Sequence, residues 1–143
     1  SSQYVDSGVI DLHLSTESTE KRSEKMAVGI CSVIEKYKPD VVIIEEVAMQ
    51  SNAKTLKLLA RIQGVAIGFC AAHNIKLYIL EPSKWRSALH YRQGSGVKRE
   101  ALKQQSLNYV KNNLGFDFTE DRSEACCINI AAHKIYNFDE DEI

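Results

Sequence analysis

Apolar and polar residues change rhythm several times along this chain, and each change marks an element. Val5 to Leu14 alternates, as a strand with one buried face does. Ser15 to Glu20 is a polar loop with residues suited to starting a helix. A helix is then predicted to about Lys38, with Met26, Ile30, Val33, Ile34 and Tyr37 on one face. Pro39-Asp40 ends it. Val41 to Ile44 does not alternate at all, which predicts a central strand covered on both sides.

The second half is as readable. Asn52 is placed to cap a long helix running to about His73, with an apolar stripe of Leu56, Leu59, Ile62, Ala66 and Phe69/Cys70. Gly64, Gly68 and the alanines leave a smooth flank where another backbone can come close. Asn74 fits a left-handed stop. Ile75 to Leu80 is the next predicted strand, closed by Glu81-Pro82, and Ser83 to Leu89 makes one or two helical turns. Tyr91 to Gly96 is expected to be a mobile loop. Lys98 to Leu114 forms a helix with Leu102, Ser106, Tyr109, Val110 and Leu114 inward, stopped by Gly115. Thr119 is placed to cap the last helix, about Glu120 to Tyr136. The order predicts an α/β layered domain with helices on both faces of a sheet. The opening strand is expected to pair with a neighbour that precedes Ser1, making the sheet mixed.

Length and composition narrow the class. At 143 residues the chain fits one domain, 1–143, with an ordinary hydrophobic fraction of 44%. No run approaches ~20 uninterrupted apolar residues, so no membrane partner is expected. The formal charge of -1 says little, but its distribution says more. From Lys84 to Lys111 the chain carries Lys84, Arg86, Arg92, Lys98, Arg99, Lys103 and Lys111 against the single acid Glu100. Asp139 to Glu142 restores the balance. The basic stretch fits either a solvated helix face or a surface that tracks a phosphate backbone. Cys31, Cys70, Cys126 and Cys127 form no metal-binding spacing and sit in apolar helical patterns. They predict small core residues of a reduced, cytoplasmic protein.

The candidate chemistry lies in the carboxylates. Glu45 follows four core residues, and a buried strand has no structural need for an acid at its end. Such a position mounts a metal ligand on a rigid element. Asp121 and Glu124 are spaced i and i+3 and share one helix face. Acids in a first helical turn also serve the helix dipole, so both readings stay open for that pair. Glu46 points away from Glu45 by strand alternation and is expected to be a turn or salt-bridge residue. Three acids on two elements suit a hard cation such as Mg²⁺, which takes oxygen ligands. Two such ions would serve in-line attack on a phosphodiester. Trp85, Tyr91 and Tyr78 are read first as core or amphipathic residues, with base stacking as the alternative. Trp85 lies between Lys84 and Arg86, which favours DNA contact. His90 is placed to meet phosphate; His133 is read as surface or core.

The segment IIEEVAMQSNAKTLKLLARIQGVAI, with Asp121-Arg-Ser-Glu124 opening an alanine-rich helix, resembles the Holliday-junction resolvase RuvC family. The likeness extends to SGVIDL, KPD and GSGVKRE. It implies an RNase H-like fold, a homodimer, and nicking of four-way and other branched DNA with Mg²⁺ or Mn²⁺, two ions per site. Glu45, Asp121 and Glu124 match the family's metal ligands. Lys98 matches a basic residue near the scissile phosphate. Asn52, Lys54, Lys84, Arg86, Arg92, Lys98, Arg99 and Lys103 are the expected DNA contacts. The Asn52 to His73 helix resembles the one near the family's dimer axis.

Three departures qualify the match. The family's leading Asp lies on a first strand that would precede Ser1, and sequence upstream is expected. Glu124 stands where Asp is commoner. Ala48 replaces an aromatic common in bacterial members, which predicts weaker sequence selectivity, reminiscent of phage-encoded relatives; the expected setting is the cytoplasm of a bacterial or phage-infected cell. The competing reading is a weakly active or inactive junction-binding protein on the same fold. An actin-type ATPase lacks its glycine-rich phosphate loops here. A 3′-exonuclease of the same superfold wants a His or Tyr shortly before the final acid, where Thr119, Glu120 and Arg122 stand.

Overall fold

A computed structural model describes residues 4–10, 17–49 and 51–138. The described elements are α1 (Thr19–Tyr37), β1 (Val41–Glu45), α2 (Ala53–Ala72), β2 (Lys76–Leu80), α3 (Pro82–Ala88), α4 (Arg99–Leu114) and α5 (Glu120–Tyr136). They fall into two compact units, residues 10–79 in one and residues 1–9 with 80–143 in the other.

The first unit is a β-α-β crossover with α1 packed against α2. Strands β1 and β2 pair in parallel, as a helical crossover requires. The helix boundaries follow local chemistry. The Ser18 hydroxyl accepts from the Lys21 amide, and the Asn52 side chain accepts from Lys54 and Thr55 N–H at 2.9 and 3.4 Å. Lys38 ends α1 in the left-handed region at φ 46°, and Asn74 follows α2 at φ 58°. Ile34, Ala66 and Cys70 form the buried contacts of this unit. On α1, Val33 and Tyr37 are half exposed, so the inward face is narrower than its periodicity predicts. Gly29 admits Ile10, whose Cγ2 would lie 2.7 Å from any added Cβ.

Two expectations about strands need correction. Residues 4–10 carry no regular secondary structure, and 11–14, the rest of the expected Val5 to Leu14 strand, lie outside the described residues with His13. Strand β1 is half-buried along its whole length rather than covered on both sides. Its continuous apolar run is suited to two covering layers and two neighbours, but among the described residues only β2 flanks it. The α2 helix is also apolar and long enough to meet the length and composition of a membrane span, contrary to the run-based expectation. Charged residues interrupt its first turns, at Lys54, Lys57 and Arg61, and it joins two hydrogen-bonded strands.

The second unit is helical. Here α5 packs against both α3 and α4. Leu80, Trp85, Leu89, Val110, Cys127, Ala131 and Ala132 are buried between them. Pro82 opens α3 at a position that needs no amide donor. Gly115 closes α4 at φ 77°. Thr119 occupies the N-cap position of α5 but makes no side-chain capping bond. Trp85 is fully buried, which settles it as core and removes it from base stacking. The Asp139 to Glu142 tail lies outside the described residues.

Among the described residues Trp85 is the largest fully buried side chain. Trp85→Ala is expected to destabilise the protein by ~3–5 kcal/mol. Chemical denaturation followed by circular dichroism measures this; a loss below ~1 kcal/mol would contradict the central packing of this ring.

Candidate metal and nucleic-acid site

Glu45 is the last residue of β1 and is half-buried. Its neighbour Glu46 has a separate task. One Glu46 carboxylate oxygen accepts from the Val47 amide at 2.8 Å and from Gln63 Nε2 of α2 at 3.1 Å. The expected turn role of Glu46 is therefore met, and the bond to Gln63 ties the exit of β1 to the middle of α2. Strand alternation directs Glu45 to the other side.

Asp121 and Glu124 lie in the first turns of α5, in the other unit. The buried stripe Ser123, Cys127 and Ala131 sets the rotation of this helix. At ~100° per residue, Asp121 and Glu124 are about 60° apart around the axis and share one flank. Asp121 is exposed and Glu124 half-buried. Between them Arg122 turns away, with its guanidinium 4.0 Å over the Phe118 ring and donating to Ser7 Oγ at 2.8 Å.

Carboxylate oxygens are the right donors for a hard cation, and two of them stand one turn apart on α5. Among the described residues no group of three or more His, Cys, Asp or Glu side chains is placed to hold a metal ion. The donor chemistry of the acids fits Mg²⁺; a complete ligand cage is not formed by them alone.

The basic residues of the second unit take two forms. Lys84, Arg92, Lys98 and Arg99 are exposed, and Lys98 sits at the N-cap of α4. Arg86 is half-buried, with its guanidinium 5.2 Å from the Trp85 ring centre. Lys103 pairs with Glu120 at 3.0 Å and so links α4 to the first turn of α5. In the crossover unit Lys54 is exposed, while the side-chain oxygen of Asn52 is engaged in capping α2. His90 is exposed at φ 62°; the His133 ring meets Phe138 edge-on, and its buried Nδ1 has no hydrogen-bond partner among the described residues.

The segment after α3 is not the mobile loop its composition suggests. The Tyr91 amide donates to the Arg86 carbonyl at 2.9 Å. The Tyr91 hydroxyl is hydrogen-bonded to Ser106 Oγ at 2.8 Å and to Cys127 Sγ at 3.2 Å. Burial, and then the bond to Cys127, push the Tyr91 phenol well above its ordinary pKa. Burial raises the Cys127 thiol likewise, so both groups stay protonated. Gln105 of α4 brackets the Arg92 peptide: its Oε1 accepts from the Arg92 N–H at 2.7 Å and its Nε2 donates to the Arg92 carbonyl at 3.0 Å. Gln93 Nε2 donates to the Ser83 carbonyl and Ser87 Oγ of α3. Polar residues in a Gly-Ser context read as flexible; their partners, far apart in sequence, are what hold them. Sequence pattern gave no sign of Gln105, since glutamine on a helix reads as solvent-facing. Ser106 did leave a sign, as a hydroxyl at an apolar position.

Comparison with known proteins places this arrangement. The family described as crossover junction endodeoxyribonuclease RuvC matches over residues 1–132. A relative of that name from Caldicellulosiruptor saccharolyticus is 30% identical over 146 residues, covering 94% of this chain and 84% of its own. Another, from Citrifermentans bemidjiense, is 32% identical over 130 residues, covering 89% and 74%. Among solved structures, Thermus thermophilus RuvC in complex with a Holliday junction substrate superposes with a TM-score of 0.68 at 13% identity, covering 87% of this chain and 74% of that one. A second Thermus thermophilus RuvC structure gives 0.66 at 14% identity. The fold is thus the RNase H-like α/β fold of these resolvases, and the chain belongs to the family of crossover junction endodeoxyribonucleases RuvC.

Proposed function

We propose that this protein is a structure-selective endonuclease that resolves four-way and other branched DNA junctions. The observation that carries the reading is the family match over residues 1–132, within which acids stand at the end of β1 and in the first turns of α5. Both units together form the nuclease domain. Glu45, Asp121 and Glu124 are the residues that would hold divalent cations, Mg²⁺ or Mn²⁺, two per site, with further oxygen ligands completing the coordination. When bound there, such cations would polarise a water and offset charge on the leaving oxygen. In that hydrolysis the water oxygen would bond to phosphorus as the ester P–O bond breaks in line, the water giving a proton to solvent and the departing oxygen taking one up. Lys98, exposed at the start of α4, steadies the charge that builds on the phosphoryl oxygens. Lys84, Arg86, Arg92 and Arg99, with Lys54 and Asn52 of the other unit, follow the DNA backbone. The ion pair with Glu120 gives Lys103 a weaker part in that surface. The enzyme works in the cytoplasm of a bacterial or phage-infected cell.

The protein acts as a homodimer through α2. Ala60, Gly64, Ile67, Gly68 and Ala71 recur along one exposed flank of that helix. Among the described residues no atom lies within 4 Å of a Cβ built on Gly64 or Gly68, apart from neighbours and the helix's own backbone. Ile67 is 40% exposed. A flank of small residues with one large apolar side chain suits close approach of a second copy, and two copies give the two cuts that a four-way junction needs.

Three outcomes test these statements. Glu45→Gln, Asp121→Asn and Glu124→Gln are each expected to lower Mg²⁺-dependent cleavage of a four-way junction by ~10²-fold or more while leaving junction binding within about three-fold. If wild-type protein binds junctions without cutting them, the non-catalytic clamp is the correct alternative. Gly68→Trp is expected to turn a dimer into a monomer in analytical ultracentrifugation; a dimer that persists places the interface elsewhere. With exposed Ala48 after β1 in place of an aromatic, a junction of scrambled sequence is expected to be cut within about three-fold of any natural one. Strong preference for one tetranucleotide in a cleavage-site survey would contradict this.

A further inference from the structure

Arg92 and Lys98 stand at the two ends of a tight turn, and the turn is fixed at both. On the far side the Val97 amide donates to the Gly94 carbonyl at 3.1 Å, with Gly94 and Gly96 at φ 98° and 86°. On the near side the Arg92 peptide is held twice by one amide, that of Gln105. Both bonds are short, and together they mimic a strand pairing with a side chain in the partner's place. The residues on either side are pinned as well, Tyr91 by Ser106 and Cys127 and Gln93 by α3. Yet Arg92 itself is exposed, and no ion pair among the described residues involves it. An exposed arginine on an anchored peptide is an unusual expense of hydrogen bonds if it only faces water.

We propose that Gln105 is a positioning residue for DNA, holding the Arg92 backbone so that the Arg92 guanidinium is aimed at a junction phosphate before the DNA arrives. The inference rests on the endonuclease reading above. Its physical content is pre-organisation. A free loop must be ordered on binding, which weakens affinity through both its side chains and its backbone. The Gln105 amide meets that cost during folding. Gln105 touches neither phosphate nor reacting atoms, so its effect passes through Arg92 and belongs to binding rather than chemistry.

The test is a double-mutant cycle on the full chain. Affinity for a fluorescent four-way junction is measured in EDTA, where cleavage is silent, for wild type, Gln105→Ala, Arg92→Ala and the double variant. Steady-state cleavage in Mg²⁺ gives KM and kcat for the same set. Gln105→Ala is expected to weaken binding about five- to ten-fold and to raise KM in step, with kcat within about two-fold. In the Arg92→Ala background the same change is expected to have no further effect. Equal losses in both backgrounds, or binding by Gln105→Ala within about two-fold of wild type, would overturn the proposal. Should the alanine variant fail to fold, Gln105→Met keeps the length of the side chain without its amide and runs the same cycle. Wild-type protein that neither binds nor cuts junctions would refute the endonuclease reading itself, a result separable from failure of the cycle.

Discussion

The Tyr91 hydroxyl is the point where three segments of the helical unit meet. It joins the stretch after α3 to Ser106 on α4 and to Cys127 on α5. One phenolic proton serves one acceptor at a time, so the second bond uses a hydrogen from Ser106 or Cys127. All three groups must therefore stay neutral, and burial raises the phenol and thiol pKa values in the direction that keeps them so. The Cys127 thiol also reaches the Ser106 carbonyl at 3.8 Å, which closes the network. A buried polar knot of this kind is costly when incomplete and rigid when satisfied. Trp85 lies edge-on to Tyr91, 5.4 Å between ring centres, and packs against it. The rotation of α5, and with it the flank carrying Asp121 and Glu124, depends on Cys127 facing this knot.

That dependence connects charge to packing. The same short stretch that inserts Tyr91 into the core displays Arg92 on the surface, one residue later. Tyr91 turns inward onto Ser106 and Cys127 while Arg92 beside it stays exposed. The basic surface is thereby set by the core, not by the long side chains alone. Lys103 and Glu120 reinforce the link between α4 and α5 on the outside, though an exposed pair of this sort is worth only ~0–1 kcal/mol.

Much of this was legible in the residues. Helix ends announced themselves through Asn52, Asn74 and Gly115, because capping is local chemistry. The βαβ crossover followed from the unbroken Val41 to Ile44 run and the apolar helix after it. The acids stood out because an apolar strand does not need Glu45. Illegible features were those that depend on distant partners. The burial of β1 falls short because a run of valine and isoleucine states a demand for neighbours, not their presence. The stretch Tyr91 to Gly96 misled because glycine and serine report local freedom, whereas Gln105, Ser106 and Cys127 remove it from 13 to 36 residues away. Thr119 shows the converse: a residue with capping chemistry at the capping position makes no capping bond.

The pair Glu45-Glu46 shows why two neighbouring carboxylates are not duplicates. A glutamate is a long, flexible arm, and ordering it around a cation costs side-chain entropy on top of any backbone motion. Ladder bonds to β2 fix the backbone up to Glu45. Beyond that the strand ends and nothing in its ladder restrains the turn. Glu46 supplies the restraint, folding its carboxylate onto the next amide and reaching Gln63 on α2. The peptide that carries Glu45 is thus held from both sides. One carboxylate stiffens the frame that carries the other.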